Sequence, residues 1–417
     1  MIRYVLIFAL AALPASVQAQ QSDTMSEISA LIDARSKESA KTARQLWEWA
    51  EVGYQEQKSS DLLKQSLKSN GFKITSGVAD IPTAFTAEYG KGGPVIAILA
   101  EYDALPGINQ DAVATRTPIK GAAHACGHNL FGAGSVEAAI AVSKWLAKTG
   151  TPGRVRLYGT PAEEGGSGKV YMVRAGLFND VDIALHWHAD DENSAAARTT
   201  LANRSAKFRF HGVSAHAAGA PEKARSALDG VESFNMMINM MREHIPQQSR
   251  IHYVITEGGI APNVVPDFAE VFYYVRHPDP AEVDAIWTRL EDAARGAAMG
   301  TGTTVDWEVI HGNNPLLVNE PLAKMMDAKL RQVGGVTYTQ EEQKFAEGIY
   351  ASFDKPGNAL GSQEEIQPYN VSLGYGSTDV GDVSYAEAKA EFDKARGPDY
   401  QYKSLLGDRD PPLDYRK

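Results

Sequence analysis

The chain has 417 residues and a formal net charge of −11, and it is 43% hydrophobic and 22% charged, an ordinary globular composition. This acidity argues against nucleic acid or an anionic membrane as partner, and the length favours two domains over one core. The only cysteine, Cys126, excludes an internal disulfide.

Residues 1–19 read as a signal peptide: Arg3 gives the positive start, Tyr4 to Leu13 is apolar, and Val17-Gln18-Ala19 is a small-residue cleavage pattern. A periplasmic or secreted protein is the expectation, with no membrane partner. Residues 28–69 read as helix, with Leu46, Trp49, Leu62, Leu63 and Leu67 at helical spacing. Two strands follow, 83–89 and 94–100, then helix 132–148, strand 155–159 and strand 181–188. Strand and helix in alternation imply a sheet covered by helices, with sites at the carboxyl ends of its strands.

From 207 the rhythm changes: strand 207–212, helix 226–243, strands 250–256 and 268–276, helix 281–298, strand 304–311. That β-α-β-β-α-β order describes a ferredoxin-like unit. The fold class is therefore α/β: a mixed-sheet catalytic domain, residues 20–198 and 314–417, with an inserted ferredoxin-like domain at 199–313. A helix at 321–333 and a polar tail close the chain.

The chemistry gathers around His124-Ala125-Cys126-Gly127-His128-Asn129. Cys126 and His128, two apart in an extended turn, can present sulfur and nitrogen to the same side. Cys126 as a nucleophile with His128 as base is the competing reading. It leaves Glu163, Glu164, His186 and His188 unexplained. Of the adjacent Glu163 and Glu164, one can hold a metal while the other takes a proton from water that the metal acidifies. His186 and His188 also alternate, and their place after the apolar run favours His188 as ligand. Asp103, in Glu101-Tyr102-Asp103-Ala104-Leu105-Pro106, can orient a ligand histidine from behind. In the inserted unit His216, Asn263 and Arg276 suit a carbonyl oxygen and a substrate carboxylate.

These segments, with Gly376-Ser377-Thr378-Asp379-Val380-Gly381-Asp382-Val383-Ser384, resemble the M20 metallopeptidases. Within them the likeness is to the amidohydrolase branch of aminoacylases, auxin-conjugate hydrolases and aminobenzoyl-glutamate hydrolases. The resemblance implies a two-metal site, Zn2+ or Mn2+, with Cys126, His128, Glu164 and His188 as ligands and Glu163 as base. It implies that the inserted unit is a lid and homodimer domain. There His216 and Asn263 steady the scissile carbonyl, in some cases from the partner, and Arg276 holds the substrate carboxylate. One departure stands out. The family's last ligand is a histidine near the C-terminus, and this chain has no histidine after His311. Asp379 and Asp382 are the carboxylates on offer in its place.

The expected function is metal-dependent hydrolysis of the amide bond of a small N-acyl or N-aroyl amino acid. The alternatives are a catalytically impaired relative that binds such a ligand, and a dipeptidase or carboxypeptidase.

Overall fold

The computed structural model describes residues 15–195, 197–387 and 402–414. The apolar start of the chain, residues 1–14, lies outside them. Helix α1 (Ala15–Asp33) runs unbroken through Val17-Gln18-Ala19. The long helix expected over 28–69 is three helices. After α1 come α2 (Ser36–Trp49) and α3 (Gln57–Ser69), separated by a loop in which Ala50 and Tyr54 take positive φ. Helical spacing of apolar residues persists across such a break, because each piece packs on the same core.

The first sheet contains β1 (Lys73–Ser76), β2 (Phe85–Lys91), β3 (Val95–Ala100), β4 (Gly153–Gly159) and β5 (Ile183–Leu185), in the order β1-β2-β4-β3-β5. β3 is parallel to β4 and β5 while β2 is antiparallel to β4, so the sheet is mixed. β3 is a run of Val, Ile, Leu and Ala with five of its six residues buried, as a strand covered on both faces must be. Helix α4 (His128–Thr149) packs its buried face, including Phe131, Val136 and Ile140, on this sheet. Among the described residues it is the one helix long and apolar enough to cross a membrane, and its apolar window is 56% buried within the fold.

After β6 (Ala197–Thr199), the inserted unit runs as β7 (Ala202–His211), α6 (Ala227–Met241), β8 (Arg250–Glu257), β9 (Phe268–His277), α7 (Pro280–Thr301) and β10 (Thr304–Asn313); α5 (Gly168–Arg174) lies earlier, after β4. Its sheet is antiparallel throughout, in the order β8-β9-β7-β10. The inward face of the alternating strands meets the helices in one core built on Phe208, Phe210, Phe234, Tyr273 and Trp287. Ser226 caps α6 by accepting the Asp229 N–H, and Asp279 caps α7 by accepting that of Ala281.

The helix expected at 321–333 is α8 (Glu320–Val333), and the segment after it holds more structure than a polar tail: α9 (Gln340–Ala351), strand β11 (Val371–Leu373), parallel to β6, and α10 (Val380–Glu387). Helix α9 has a readable start, since Thr339 and Glu342 form a reciprocal capping box.

β10 reaches the first domain through His311, which is buried, with Nδ1 2.6 Å from Ser167 Oγ. The same hydroxyl also accepts the Gly312 N–H. Burial, helped by the positive charge of Arg276, pushes the His311 pKa down to about 4. An unfolded histidine titrates near 6.5, so between those values the unfolded chain binds the extra proton. Stability is therefore present above pH 6.5 and lost as pH falls toward 4, by about 2–3 kcal/mol from this group. Urea unfolding at several pH values should give a shallower acid slope for His311→Gln. An unchanged slope would show that the ring titrates as if solvated.

Candidate metal centre

Three neighbouring parallel strands, β4, β3 and β5, end on the same edge of the first sheet, and each delivers polar residues there. β3 ends at Ala100, and the extended chain beyond it sends Glu101 and Asp103 to one side, both buried. β4 ends at Gly159, just before Glu163 and Glu164. β5 ends at Leu185, just before His186 and His188.

Cys126 and His128 come from the turn that opens α4. Gly127 has φ +75°, and a Cβ there would lie 2.6 Å from Ala189 Cβ. Only glycine allows the turn to close against the strand end carrying His188.

The ligand atoms of Cys126, His128 and His188 lie within 4.8 Å of one another, as do those of His128, Glu163 and Glu164. His128 joins the two groups. Its Nδ1 is 3.0 Å from Asp103 Oδ1, and its Nε2 is 3.0 Å from Glu101 Oε2. Asp103 Oδ2 accepts the Glu164 N–H at 3.0 Å, so one carboxylate fixes both the ring and the next loop. His186 Nε2 stands 3.6 Å from Glu101 Oε1 and its ring meets Phe131 edge-on, whereas His188 is exposed, with Nδ1 2.7 Å from the Ala189 carbonyl oxygen.

A buried cation completes the picture. Lys169 Nζ lies 2.6 Å from Glu101 Oε1 and 2.7 Å from Asp379 Oδ1, with all three side chains at most 1% exposed. Asp379 Oδ2 also accepts the Lys169 N–H. Glu56, in the loop between α2 and α3, braces the same region: its carboxylate accepts the Ala162 N–H and the Thr83 hydroxyl proton, both at 2.9 Å. Ala162 has φ +60°, a strained position for a residue with a Cβ, held by that bond.

The charges set the titration. Burial by itself would lower the His128 pKa, but the carboxylates of Glu101 and Asp103 overcome it and raise the value far above that of a free imidazole. Burial, with Glu101 and Asp379 adding negative charge, holds Glu163 well above the usual carboxylate range. Glu164 is raised by burial and by Asp103, and burial with Glu164 pushes the Cys126 thiol up to about 12. Without a cation between them these donors are crowded with negative charge and protons.

The inserted unit's candidates lie elsewhere. His216 and Asn263 are exposed neighbours, joined by a bridge between His216 and Val264 and by Ala217 N–H donating to the Asn263 carbonyl. His216 Nδ1 accepts from the Ala218 and Gly219 N–H groups. Among the described residues no hydrogen bond or ion pair joins either to the Cys126–His128 cluster. Arg276 is nearer. It pairs across β9 with Asn203 and Arg250, and its guanidinium sits over Tyr274, 5.3 Å from the ring centroid. The Tyr274 ring lies 6.1 Å from that of His311, whose Nδ1 is 2.6 Å from Ser167 Oγ, so this end of β9 faces the loop after β4.

Three comparisons bear on this arrangement. The model for peptidase family M20/M25/M40 matches residues 97–356, which include the four strand-end and turn segments just described. The chain is 42% identical, over 82% of its length and 77% of the other's, to one of the subunits of the p-aminobenzoyl-glutamate hydrolase of Escherichia coli K12. The chain belongs to peptidase family M20/M25/M40. It is also 32% identical to the Xaa-Arg dipeptidase of Mus musculus, over 66% of this chain and 64% of that one. The fold superposes on an aminobenzoyl-glutamate utilization protein from Klebsiella pneumoniae with a TM-score of 0.64, at 18% identity, covering 89% and 91% of the two chains. As a member of this family the chain is a hydrolase of amide bonds.

The donor set fits a divalent metal. A thiol, two imidazoles and a carboxylate converge, and Glu164 Oε1 is a buried oxygen with no hydrogen-bond partner. The two carboxylates considered in place of the M20 family's last histidine do not join them. Asp379 is bound twice to Lys169, and Asp382 accepts the Asn314 N–H and Nδ2–H, both at 2.9 Å, and the Tyr402 hydroxyl. Both are committed to holding α10 and its neighbours in place. Sequence reasoning also missed Lys169 and gave Glu101 no role. Glu101 was legible from its i, i+2 spacing to Asp103, whereas Lys169 sits in an unremarkable helix start.

Asp103→Asn tests the support behind the ligands. It keeps the shape but weakens the grip on the His128 ring, so metal affinity should fall by about 10- to 100-fold. Competition with a chromophoric chelator would measure it; an unchanged constant would show that Asp103 only closes a turn.

Proposed function

We propose that this M20 protein uses Zn2+ or Mn2+ to hydrolyse the amide bond of small N-acyl or N-aroyl amino acids, in the periplasm or outside the cell. The observation that carries the reading is the meeting of Cys126, His128 and His188 with Glu163 and Glu164 at one sheet edge. Cys126, His128, Glu164 and His188 would hold the metal. When bound, it acidifies water and polarises the amide carbonyl.

The chain's own residues supply the rest. Glu163, whose pKa burial and neighbouring carboxylates hold high, suits a base that takes a proton and passes it to the departing nitrogen. Asp103 holds the His128 ring at Nδ1 and Glu101 faces Nε2. Arg276 would bind the substrate carboxylate as a charge-assisted pair. His216 and Asn263, which among the described residues make no hydrogen bond or ion pair to the cluster, would reach the carbonyl if the inserted unit closed or if a second copy of the chain offered them. Exposed Met236, Met237 and Met240 on α6 and Val254 and Ile255 on the edge strand β8 give that unit an apolar surface suited to a homodimer. Because the Escherichia coli hydrolase has subunits named A and B, both similar to this chain, an assembly with a different, related chain is the alternative.

Peptidase action on dipeptides is the second reading, favoured by the 32% identity to an Xaa-Arg dipeptidase. The test is a panel: 4-aminobenzoyl-glutamate, N-acetyl amino acids and Xaa-Arg dipeptides, each with protein reconstituted in Zn2+ or Mn2+, reading amine release. Cleavage of the acyl or aroyl compounds supports the first reading and cleavage of dipeptides alone the second. If every amide stayed intact while ligands still raised the melting temperature, a binding protein would replace both.

A further inference from the structure

A cavity of about 490 Å³ lies between the loop that follows His188 and the region around α9. Its walls are tied together. Asn193 Nδ2 donates to the Gln363 carbonyl at 2.7 Å, Gln367 N–H donates to the Asn193 carbonyl at 2.9 Å, and Asn358 Nδ2 donates to the Asp191 carbonyl at 3.2 Å. One wall is aromatic, formed by Tyr338, Tyr350 and Phe353. Phe353 is 48% exposed and Tyr338 36%, so folding leaves aromatic surface uncovered here. The opposite wall is acidic, with Asp190, Asp191 and Glu192, and Lys355 stands at the rim. Glu192 is paired with Arg198 at 2.7 Å and Asp190 Oδ1 accepts the Asp191 N–H at 2.9 Å, while Asp191 Oδ2 lies beside Gly357 across the cavity.

The lining of the cavity starts two residues after the candidate ligand His188. Asp190 follows His188 by two residues, so their Cα atoms are within about 7 Å. Uncovered aromatic surface opposite carboxylates suits a flat group that stacks and donates N–H hydrogen bonds, and the pair repels a carboxylate. We propose that this cavity is the subsite for the flat, N–H-bearing end of the substrate, stacked on Tyr350 and Phe353 with its N–H groups on Asp190 and Asp191. The substrate's carboxylate is thereby left to Arg276. The proposal rests on the amide-hydrolase reading and sharpens its substrate class. Two sources carry this chemistry: an aminoaryl acyl group and the guanidinium of an arginine side chain.

Binding of fragments without a scissile bond separates the sources and does not depend on turnover. Full-length protein would be titrated calorimetrically with 4-aminobenzyl alcohol, agmatine and, as a flat-ring-free control, cyclohexylmethanol. One of the first two should bind at least tenfold more tightly than the control, naming the aryl or the guanidinium source. The double substitution Tyr350→Ala with Phe353→Ala should weaken it about tenfold. Asp191→Asn, at an exposed position that leaves the fold intact, should weaken it several-fold, a check that survives if the double variant fails to fold. Failure of both fragments to outbind the control, or binding indifferent to Asp191→Asn, would overturn the subsite. If amides were still cleaved in that case, the hydrolase reading would stand and the subsite alone would fall.

Discussion

Glu163→Gln should lower kcat by about 10²- to 10⁴-fold, the usual contribution of a positioned acid–base group, while the metal content of the protein stays the same. The two halves of this expectation come from different observations. Glu163 shares the space of His128 and Glu164, so it is close enough to exchange a proton with anything held there. Its elevated pKa arises first from burial and then from the charges of Glu101 and Asp379, neither of which the substitution touches. A carboxyl that both takes and returns a proton near neutral pH is most effective when its pKa lies near the working pH, which is the direction of this shift. Glutamine keeps the volume and the hydrogen-bonding shape but cannot carry the proton. Elemental analysis after dialysis and initial rates on the same preparation would measure both quantities. A loss of metal together with activity would mean that Glu163 is a ligand, and the roles of Glu163 and Glu164 would have to be exchanged.

Much of this site was legible because its residue types are costly to place by accident. Cys126 and His128 flank a glycine, Glu163 and Glu164 follow a strand, and His186 and His188 follow another. The strands of a mixed α/β sheet deliver such pairs to one edge. The inserted unit was legible from its element order and its alternating strands, and it has the β-α-β-β-α-β sequence expected of it. Other features were hidden for physical reasons. The break between α2 and α3 depends on Ala50 and Tyr54 taking positive φ, which composition does not announce, and it produces the buried Glu56 that braces Ala162. The fates of Asp379 and Asp382 depended on long-range partners, Lys169 and the Asn314–Tyr402 pair, and no local pattern encodes those. The cavity is likewise a tertiary product, since Asp191 and Phe353 are far apart in the chain and line one space because Asn193 and Asn358 tie their segments together.

Lys169→Met is expected to destabilise the protein by about 3–5 kcal/mol, the cost of leaving a buried charge without its partner. Methionine fills nearly the same volume, so packing changes little and the effect isolates the ammonium. Burial would normally lower the Lys169 pKa, yet Asp379 and Glu101 raise it above that of a free lysine, so the native group is charged. In return, burial would raise the Glu101 pKa, but Lys169 and His128 hold it well below the usual carboxylate value. Remove the ammonium and the balance at Glu101 tips toward protonation. The sign of the pH dependence then differs between the two proteins. In the parent, the depressed Glu101 pKa gives stability that is present above the unfolded carboxylate value, near 4.3, and is lost as pH falls through the lower folded value. In the variant, a carboxylate with a raised pKa is relieved as pH falls, so stability is regained. The gap between parent and Lys169→Met should be widest near neutrality and narrow below about pH 5. Adding Asp379→Asn to Lys169→Met should recover part of the loss, because one of the two stranded carboxylates is then neutral. Urea unfolding of the metal-free proteins across this range would reveal the pattern. A deficit below about 1 kcal/mol at neutral pH would mean that water reaches Lys169, and the ion-pair network could not then be what fixes Glu101 against the His128 ring.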